Sequence, residues 1–243
     1  MSPFEDLHLS VVVPVYNEEK KITETVRRIS IYLSLKLVPC ELIVVNDGSK
    51  DRTREMMGHL MQEINHPSFL KFIDYEKNRG KGHACRQGML ASRGRYVLLT
   101  DADLSSPIKE SEKLVAALEK GADVAIGSRA IRAKDCDVQQ SLKRRISGRI
   151  FNGIVQTLVL PGIHDSQCGF KCFKRQSAQK LFGAKKLDGF SFDVEVLYLA
   201  RKFGHKIAEV PVMWKQGQDS RVSFLRDSLR MVGDLFKIKK LHP

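Results

Sequence analysis

Two aspartates separated by one alanine follow an apolar segment near the middle of the chain. Asp101 and Asp103 come directly after residues 96–100, a run that is typical of a buried parallel strand. In open α/β sheets the ligand crevice lies outside the carboxyl ends of the strands, so both carboxylates are expected to face a substrate. In a strand that continued through the triplet they would share a face, where a divalent cation would relieve their repulsion. The alternative interpretation is a turn that caps a helix beginning near 105–107.

Strand and helix signals alternate along the chain and would place this aspartate pair at the edge of a sheet. Short apolar or β-branched runs predict strands, and longer segments with apolar residues on one face predict helices. The predicted strands cover 9–13, 41–45, 69–74, 96–100 and 123–127, and the predicted helices cover 18–35, 51–63, 83–91 and 109–120. This alternation predicts an α/β fold with a mostly parallel, Rossmann-like sheet and helices on both faces.

Polar and aromatic residues also follow the first two predicted strands. Tyr16 offers an aromatic face for a base, Glu18 a carboxylate for ribose hydroxyls, and Asp47 an acceptor for a base N–H. Each residue alone has a simpler explanation, since Tyr16 could be a packed aromatic and Asp47 part of an Asp-Gly turn. Because three neighbouring strand ends carry such groups, the sequence predicts a nucleotide-binding crevice.

The charge balance and the cysteine content narrow the class of protein. The 243-residue chain has 41 Lys and Arg against 28 Asp and Glu, a formal net charge of +13, which favours anionic partners such as nucleotide phosphates or lipid headgroups. Aromatic residues make up only 7% of the chain and form no repeat with basic ones, which argues against a nucleic-acid-binding module. The five cysteines lack CxxC spacing, so we expect no disulfide framework, no structural zinc site and a reducing compartment.

The chain length predicts one catalytic domain with an appended segment, at 1–222 and 223–243. No apolar run approaches the roughly 18 residues of a spanning helix, and no cleavable leader is recognisable, so we expect the chain to be neither membrane-spanning nor secreted. The segments 142–160 and 224–241 carry apolar stripes among basic residues. Each segment could lie in a lipid headgroup region or pack on the core.

Five short motifs resemble, in their order, those of the inverting family 2 glycosyltransferases, which have the GT-A fold. They are VPVYNE at 13–18, VNDGS at 45–49, NRGKG at 78–82, DAD at 101–103 and GSR at 127–129. Later motifs at 164–171, 192–195 and 209–214 are similar to those of the dolichyl-phosphate β-glucosyltransferases. Dolichyl-phosphate mannose synthases share the first half but typically differ at 167–171, which favours glucose over mannose. The alternatives are a GDP-mannose-dependent mannosyltransferase and a family 2 transferase with a non-lipid acceptor.

The resemblance implies a nucleotide sugar donor, a lipid phosphate acceptor and a divalent cation. The donor would be UDP-glucose, the acceptor dolichyl (polyprenyl) phosphate, the product dolichyl β-D-glucosyl phosphate, and the cofactor Mg²⁺ or Mn²⁺. Lys81 would approach the diphosphate, Asp101 and Asp103 would bind ribose and metal, and Ser105 would be a third metal ligand. The residues that would hold uridine are Pro14, Tyr16, Glu18 and Asp47. Such an enzyme would be peripheral on the cytosolic face of a membrane, the endoplasmic reticulum in a eukaryote or the cytoplasmic membrane in a prokaryote.

The charge of the acceptor determines what the site must do. A phosphate monoester has a second pKa of about 6, so near neutral pH it is already ionised and needs no dedicated general base. The site must instead hold two anionic groups close together, for which Arg129, Arg221 and Lys171 are suited. The alternatives are that Arg129 pairs with a structural carboxylate and that Arg221 is one of many solvated cations.

The later motifs contain further candidate residues whose roles stay open. Asp165 could position the sugar or the acceptor, or cap a turn around 168–169, and Gln167 could bind sugar hydroxyls. Asp193 and Glu195 could equally orient basic residues. Cys168 is expected to be a small packed residue, because an inverting displacement needs no covalent intermediate. The expected catalytic residues are Asp103, Arg129, Asp165 and Arg221.

Overall fold

Strands and helices alternate along the chain, as the sequence predicts. The computed structural model describes residues 7–64, 69–131, 133, 136–139, 142–215 and 224–243, with the backbone only for 142–147, 149 and 224–230. The strands are β1 (Leu9–Val15), β2 (Cys40–Asp47), β3 (Leu70–Tyr75), β4 (Tyr96–Leu99), β5 (Val124–Ser128), β6 (Val138–Gln139), β7 (Lys171–Lys174), β8 (Ile207–Pro211) and β9 (Trp214–Lys215). The helices are α1 (Ile22–Ser34), α2 (Thr53–Ile64), α3 (Lys81–Ala91), α4 (Ser111–Glu119), α5 (Leu142–Leu158), α6 (Arg175–Ala184), α7 (Phe192–Lys202) and α8 (Phe224–Leu241).

The described residues form one seven-stranded sheet in the order β3-β2-β1-β4-β7-β5-β8, and a small sheet of β6 and β9. Neighbouring strands of the large sheet are parallel except where β7 pairs with β4 and β5. Because β1 lies between β2 and β4, the strand order reverses there, which opens a crevice at the carboxyl ends of these strands. The sequence did not predict β7, because Lys171–Lys174 is short and has a lysine at each end.

Each face of the sheet is covered by its own set of helices. On one face α1, α2 and α4 bury alternate strand residues such as Val11 and Val44. On the other face α3, α5, α6, α7 and α8 bury the intervening residues such as Val12 and Val45. This pattern is that of strands buried on both sides, so the predicted arrangement of helices on both faces is confirmed.

Helix α3 begins at the crevice and lies very close to the sheet. A Cβ atom added at Gly88 would come within 2.3 Å of Val12 Cγ1, so this approach requires glycine. Gly80, with a φ of 104°, precedes the helix, and a Cβ there would lie 2.4 Å from the carbonyl oxygen of Asp188. The helix starts two residues before the predicted 83, which brings Lys81 into its first turn.

Helix α1 starts later than predicted. The periodicity placed its beginning at 18, but the helix begins at Ile22 because Asn17 has a left-handed φ of 54°. The backbone N–H of Asn17 donates to Ser49 Oγ at 2.8 Å, and that of Glu18 to Thr53 Oγ1 at 2.8 Å. The segment after β1 is therefore part of a loop that is tied to the start of α2.

The apolar stripe of α8 packs on the core. Met231, Leu235 and Ile238 are at most 8% exposed, and the last two belong to the core cluster beneath the sheet. Of the two hypotheses for this helix, core packing therefore holds for these three residues. The side chain of Phe224, the fourth predicted member, lies outside the described residues.

Helix α5 divides its apolar residues between the core and the surface. Ile154 and Leu158 pack against the core cluster, whereas Ile150 is 63% exposed. The side chain of Ile146 lies outside the described residues. Within the described part of the chain, no helix combines the length and apolarity needed to cross a bilayer.

Candidate active site

The crevice beside β1 brings together most of the predicted donor-binding residues. Asp47 is the last residue of β2, Tyr16 and Glu18 follow β1, and Asp101 follows β4. Lys81 enters from the first turn of α3. These positions meet because the strands that precede them are neighbours with parallel directions. The predicted grouping of polar residues at this edge is therefore observed.

Asp101 forms an ion pair at the centre of the crevice. Lys81 Nζ lies 2.7 Å from Asp101 Oδ1, and the two side chains are 26% and 38% exposed. Burial disfavours the charged form of Lys81, but the negative charges of Asp101 and Asp193 outweigh it and raise the pKa of Lys81 above its usual value. Lys81 therefore remains a cation that faces the same space as the Asp101 carboxylate.

A glycine forms the wall on another side of Asp101. A Cβ added at Gly169 would lie 2.1 Å from Asp101 Oδ2 and 2.7 Å from its carboxyl carbon. Only the bare backbone of 168–170 can approach this carboxylate so closely. Ser105, Ser106 and Trp214 line the same small crevice. The position of Asp101 therefore depends on a residue that has no side chain.

Replacing Gly169 by alanine is expected to lower the transfer rate about 100-fold, because the new methyl group would displace the Asp101 carboxylate by an ångström or so. The measurement is steady-state kinetics of the purified variant beside its melting temperature. Gly183→Ala is the matched control, since a Cβ on this exposed residue of α6 meets nothing within 4 Å. Equal activity of the Gly169 variant and the control would contradict the prediction.

Residues 101–103 form a turn and do not continue β4. The strand ends at Leu99, and Leu104 has a φ of 45°. Asp103 is exposed, and its Oδ1 accepts a hydrogen bond from the Ser105 N–H at 2.9 Å. The shared strand face that would have placed both carboxylates side by side is therefore not formed. The turn of the alternative interpretation is present, but the helical residues after it begin at Ile108, and their N-cap residue Pro107 has no side-chain cap hydrogen bond. Asp101 nevertheless faces the crevice.

Asp47 shapes the loop that leads into Lys81. Its carboxylate is buried, and both oxygens accept hydrogen bonds at 2.8–2.9 Å. The donors are the Tyr75 hydroxyl, the Asn78 side-chain amide and the N–H groups of Arg79 and Gly80. These four bonds occupy the lone-pair sites of the carboxylate. The structure thus gives Asp47 a role in loop geometry, and its direct contact with a base stays a prediction.

Arg129 is held by a carboxylate and an aromatic ring. Its Nε and Nη2 atoms donate to the two oxygens of Asp165 at 2.7 and 2.8 Å, and its backbone N–H donates to Oδ2 at 2.9 Å. The guanidinium carbon lies 5.3 Å from the centre of the Trp214 ring, within the range of cation–π attraction. Pairing with a carboxylate, which was the alternative for Arg129, is observed. The fork that pairs with Asp165 consists of Nε and Nη2, so the Nη1 donors lie outside it.

The electrostatics of this pair are strong because it is nearly buried. The side chains of Arg129 and Asp165 are 23% and 8% exposed. Burial opposes the charge on both groups, but their mutual attraction prevails, raising the pKa of Arg129 and lowering that of Asp165. Both groups are therefore ionised over the whole physiological pH range.

Glu209 supports the loop that carries Asp165. Its carboxylate accepts hydrogen bonds from the backbone N–H groups of His164 and Asp165 at 2.9–3.0 Å and contacts the His164 ring at 2.7 Å. The motif at 209–214 included Glu209 and Trp214, but sequence reasoning assigned neither a role. No local signal could have done so, because their partners lie far away in the chain.

Lys171 is not available to an acceptor phosphate, which corrects the sequence-based expectation. Its side chain is 1% exposed, and Nζ donates to Asp193 Oδ1 at 2.6 Å and to the Cys168 carbonyl at 2.5 Å. Asp193 therefore orients a basic residue, as the sequence analysis allowed. Cys168 is buried, and its burial raises the pKa of the thiol to about 11, as expected for a packed residue that is no nucleophile.

The other candidates lie in different surroundings. Pro14 is buried within β1, and Gln167 is half-buried with its amide nitrogen 3.9 Å from the sulfur of Met231 on α8. Glu195 accepts hydrogen bonds from the N–H groups of Lys186 and Leu187, so it anchors the loop before α7. The second predicted arginine, Arg221, lies outside the described residues.

The oxygen donors at the crevice fit an incomplete shell for a hard divalent cation. Asp101 lines the crevice and Asp103 is exposed on the turn beside it, and both carry carboxylates, which Mg²⁺ and Mn²⁺ prefer. Among the described residues no group of three or more His, Cys, Asp or Glu side chains could hold a metal. Two carboxylates leave room for phosphate oxygens and water, which is how Mg²⁺ is usually bound.

The fold is that of an α/β protein with a polar crevice at the carboxyl ends of β2, β1 and β4. The chain matches the description Glycosyl transferase family 2 over residues 10–182. It therefore belongs to glycosyltransferase family 2 and is a glycosyltransferase. The family assignment from the sequence motifs is confirmed.

Curated relatives and solved structures agree with this assignment. The chain is 37% identical to the dolichyl-phosphate beta-glucosyltransferase of Homo sapiens, covering 95% of this chain and 74% of that protein. It is 34% identical to the enzyme of the same name from Dictyostelium discoideum, covering 98% of this chain and 76% of the relative.

Two solved structures show the same fold. Glucosyl-3-phosphoglycerate synthase from Mycobacterium tuberculosis in complex with UDP has a TM-score of 0.69 at 20% identity, covering 96% of this chain and 80% of that one. A mannosyltransferase from Pyrobaculum calidifontis in complex with GDP-Man and Mn²⁺ has a TM-score of 0.62 at 21% identity, covering 89% and 58%. The predicted GT-A fold is confirmed.

Proposed function

We propose that this chain transfers glucose from UDP-glucose to dolichyl (polyprenyl) phosphate with inversion, giving dolichyl β-D-glucosyl phosphate. The observation that carries the proposal is the similarity, at 34–37% identity and over nearly the whole chain, to enzymes named dolichyl-phosphate beta-glucosyltransferase. The crevice at the carboxyl ends of β2, β1 and β4 supports it, because it presents the charges that a nucleoside diphosphate sugar needs.

The donor site consists of the residues that meet at this crevice. Tyr16 and Glu18, with Pro14 before them, form the segment proposed to hold uridine. The Lys81 ammonium pairs with Asp101 at 2.7 Å. A diphosphate bound next to the Asp101 carboxylate would therefore also lie within reach of this ammonium. A structural neighbour of similar fold holds UDP.

The proposed cofactor is Mg²⁺ or Mn²⁺, held by Asp101 and Asp103 with Ser105 beside them. When bound, the cation stabilises the negative charge that develops on the UDP leaving group. The neighbour from Pyrobaculum calidifontis contains Mn²⁺ together with its nucleotide sugar. What the chain itself contributes is the turn at 101–103, in which Asp101 pairs with Lys81 and Asp103 accepts the N–H of Ser105.

The acceptor phosphate is proposed to bind at Arg129. This guanidinium is oriented by Asp165 and by the ring of Trp214, which lines the same crevice as Asp101. Its Nη1 donors lie outside the fork with Asp165, so they are suited to a phosphate oxygen. Arg221 is proposed as a second acceptor-binding residue on the strength of the sequence motif alone, and Gln167 as a contact of the sugar.

We further propose that the enzyme acts as a peripheral protein on the cytosolic face of a membrane, since its lipid acceptor lies there. The domain boundary at 222 and 223 belongs to this proposal, with α8 as the membrane-facing element. The outer side of α8 exposes Phe236 at 59%, with Lys237, Lys239 and Lys240 exposed around it. An aromatic residue surrounded by lysines fits an anionic lipid surface.

The test is transfer of labelled sugar to dolichyl phosphate, with UDP-glucose and GDP-mannose offered in parallel, each with and without a metal chelator. We expect chelator-sensitive transfer from UDP-glucose alone. Transfer from GDP-mannose alone would replace the proposal by the mannosyl alternative. Transfer from UDP-glucose only to a non-lipid acceptor would retain the donor and reject dolichyl phosphate.

A further inference from the structure

A buried ion pair lies directly behind the crevice. Lys171 on β7 and Asp193 in the first turn of α7 are joined by an Nζ–Oδ1 distance of 2.6 Å, and their side chains are only 1% and 8% exposed. Taking two charges out of water is costly, and apolar residues of similar volume often stabilise a fold equally well. The fold alone therefore gives no reason for charges at this place, which points to a role in positioning.

The ion pair acts on the backbone that forms the wall of the crevice. Lys171 Nζ also donates to the carbonyl oxygen of Cys168 at 2.5 Å, the residue directly before Gly169. On the other side of this glycine, the Phe170 carbonyl accepts the N–H of Gly127 at 2.8 Å. The Gly169 backbone is thus fixed from both sides.

The fixed backbone determines where Asp101 can lie. A Cβ at Gly169 would be 2.1 Å from Asp101 Oδ2, so the glycine and the carboxylate touch without a gap. A shift of the 168–169 peptide would therefore move Asp101, together with Lys81, which pairs with it at 2.7 Å. A continuous set of contacts leads from Asp193 through Lys171 and the Cys168 carbonyl to the proposed donor site.

We propose that Lys171 and Asp193 are positioning residues, whose buried ion pair holds the Cys168–Gly169 backbone against Asp101 and thereby sets the geometry of the donor site. This inference rests on the proposed function, because it assigns Asp101 to donor binding. Both side chains are buried, so their proposed effect reaches the donor indirectly, through the backbone beside Asp101 and through the negative charge of Asp193, which favours the cationic form of Lys81.

The test compares two double variants. Lys171→Met with Asp193→Leu removes the buried pair without leaving an unpaired charge. The control is Glu41→Leu with Arg93→Met, which removes an ion pair of 3.2 Å near the amino end of β2, where the Glu41 side chain is 2% exposed and that of Arg93 43%. Melting temperatures, the KM values of donor and acceptor, and calorimetric binding of UDP with Mn²⁺ are measured for both.

We expect the Lys171 and Asp193 double variant to raise the donor KM and the dissociation constant of UDP about tenfold, with the acceptor KM unchanged. The control should lose stability without a change in either KM. A donor KM and UDP affinity equal to those of the unaltered chain would overturn the inference, and so would equal rises in the donor and acceptor KM.

Two further results keep the inference distinguishable from the proposed function. If the double variant does not fold, Asp193→Asn retains an acceptor for Lys171 and should raise the donor KM by a smaller factor, whereas an unchanged value would again overturn the inference. If the unaltered chain binds UDP with Mn²⁺ but transfers no glucose, the proposed function fails, while the comparison of UDP affinities still decides the positioning role.

Discussion

Replacing Asp101 by asparagine is expected to lower kcat/KM for glucosyl transfer by about 10³, a typical effect of removing one electrostatic group from an active site. The amide has nearly the same shape as the carboxylate, so the wall formed by Gly169 remains compatible with it. What is lost is the negative charge that pairs with Lys81 at 2.7 Å and is proposed to bind the divalent cation. The measurement is the rate of labelled glucose transfer at saturating Mn²⁺.

Asp123→Asn is the matched control for this prediction. Asp123 also pairs with a lysine, Lys174, at 3.0 Å. It directly precedes β5 and therefore lies at the amino end of this strand, opposite to the crevice. The same chemical change there should leave kcat/KM unchanged. Loss of activity in both variants would mean that the charge of Asp101 has no special role, and full activity of Asp101→Asn would reject the proposed metal and donor site.

Replacing Arg129 by methionine is expected to lower the transfer rate about 10²-fold or more, through the KM for dolichyl phosphate, while the donor KM stays unchanged. The variant keeps much of the side-chain volume beside Trp214 but removes the guanidinium that Asp165 orients at 2.7 Å. Steady-state kinetics with each substrate varied in turn measure this split. A rise in the donor KM alone would contradict this prediction and assign Arg129 to the donor site.

The same variant predicts a defined pH dependence of stability. In the unaltered chain burial would raise the pKa of Asp165, but Arg129 lowers it below the usual value, so the pair stabilises the fold above the unfolded pKa of about 4. This contribution is lost as the pH falls through the lowered pKa. In Arg129→Met the charge and side-chain hydrogen bonds of the guanidinium are lost, so the pKa of Asp165 rises relative to the unaltered chain, while the backbone N–H of residue 129 and the charge of Lys171 still oppose the effect of burial. The difference in melting temperature between the two proteins should therefore be largest near neutral pH and shrink in acid.

The control for the pH dependence is the double variant Arg129→Met with Asp165→Asn. The double variant has no ionisable group at position 165, whereas Arg129→Met still has Asp165, which is protonated in acid. The difference in melting temperature between these two variants should therefore also vanish in acid. A difference that stays constant between neutral and acidic pH would show that Asp165 does not respond to Arg129 in this way.

The parts of the fold that depend on local sequence were predictable. The apolar run before Asp101 and the stripe that begins at Ile22 have the periodicities of a strand and a helix, and both elements are observed. The predicted starts of two helices were wrong, because the backbone there depends on contacts with distant segments. The left-handed Asn17 delays α1, and Gly80 allows α3 to begin early, because each packs on a segment that is distant in sequence.

The candidate site shows the same division. Asp101 and Asp47 could be recognised because both end an apolar strand, and parallel strands of one sheet bring such ends to one edge. The burial of Lys171 could not be recognised. A lysine in a chain with a net charge of +13 is usually solvated, and only the tertiary contact between β7 and the first turn of α7 gives it a buried partner.

The sequence by itself determined which side chains stand at the carboxyl ends of the strands and, through its motifs, the glycosyltransferase family. Only the tertiary structure decided which charges pair with one another, as in Arg129 with Asp165 and Lys171 with Asp193, which are 36 and 22 positions apart. The physical reason is the distance along the chain over which each effect acts. Periodicity acts over a few neighbouring residues, whereas the pairing of buried charges depends on the three-dimensional packing of elements that the chain connects only through long intervening segments.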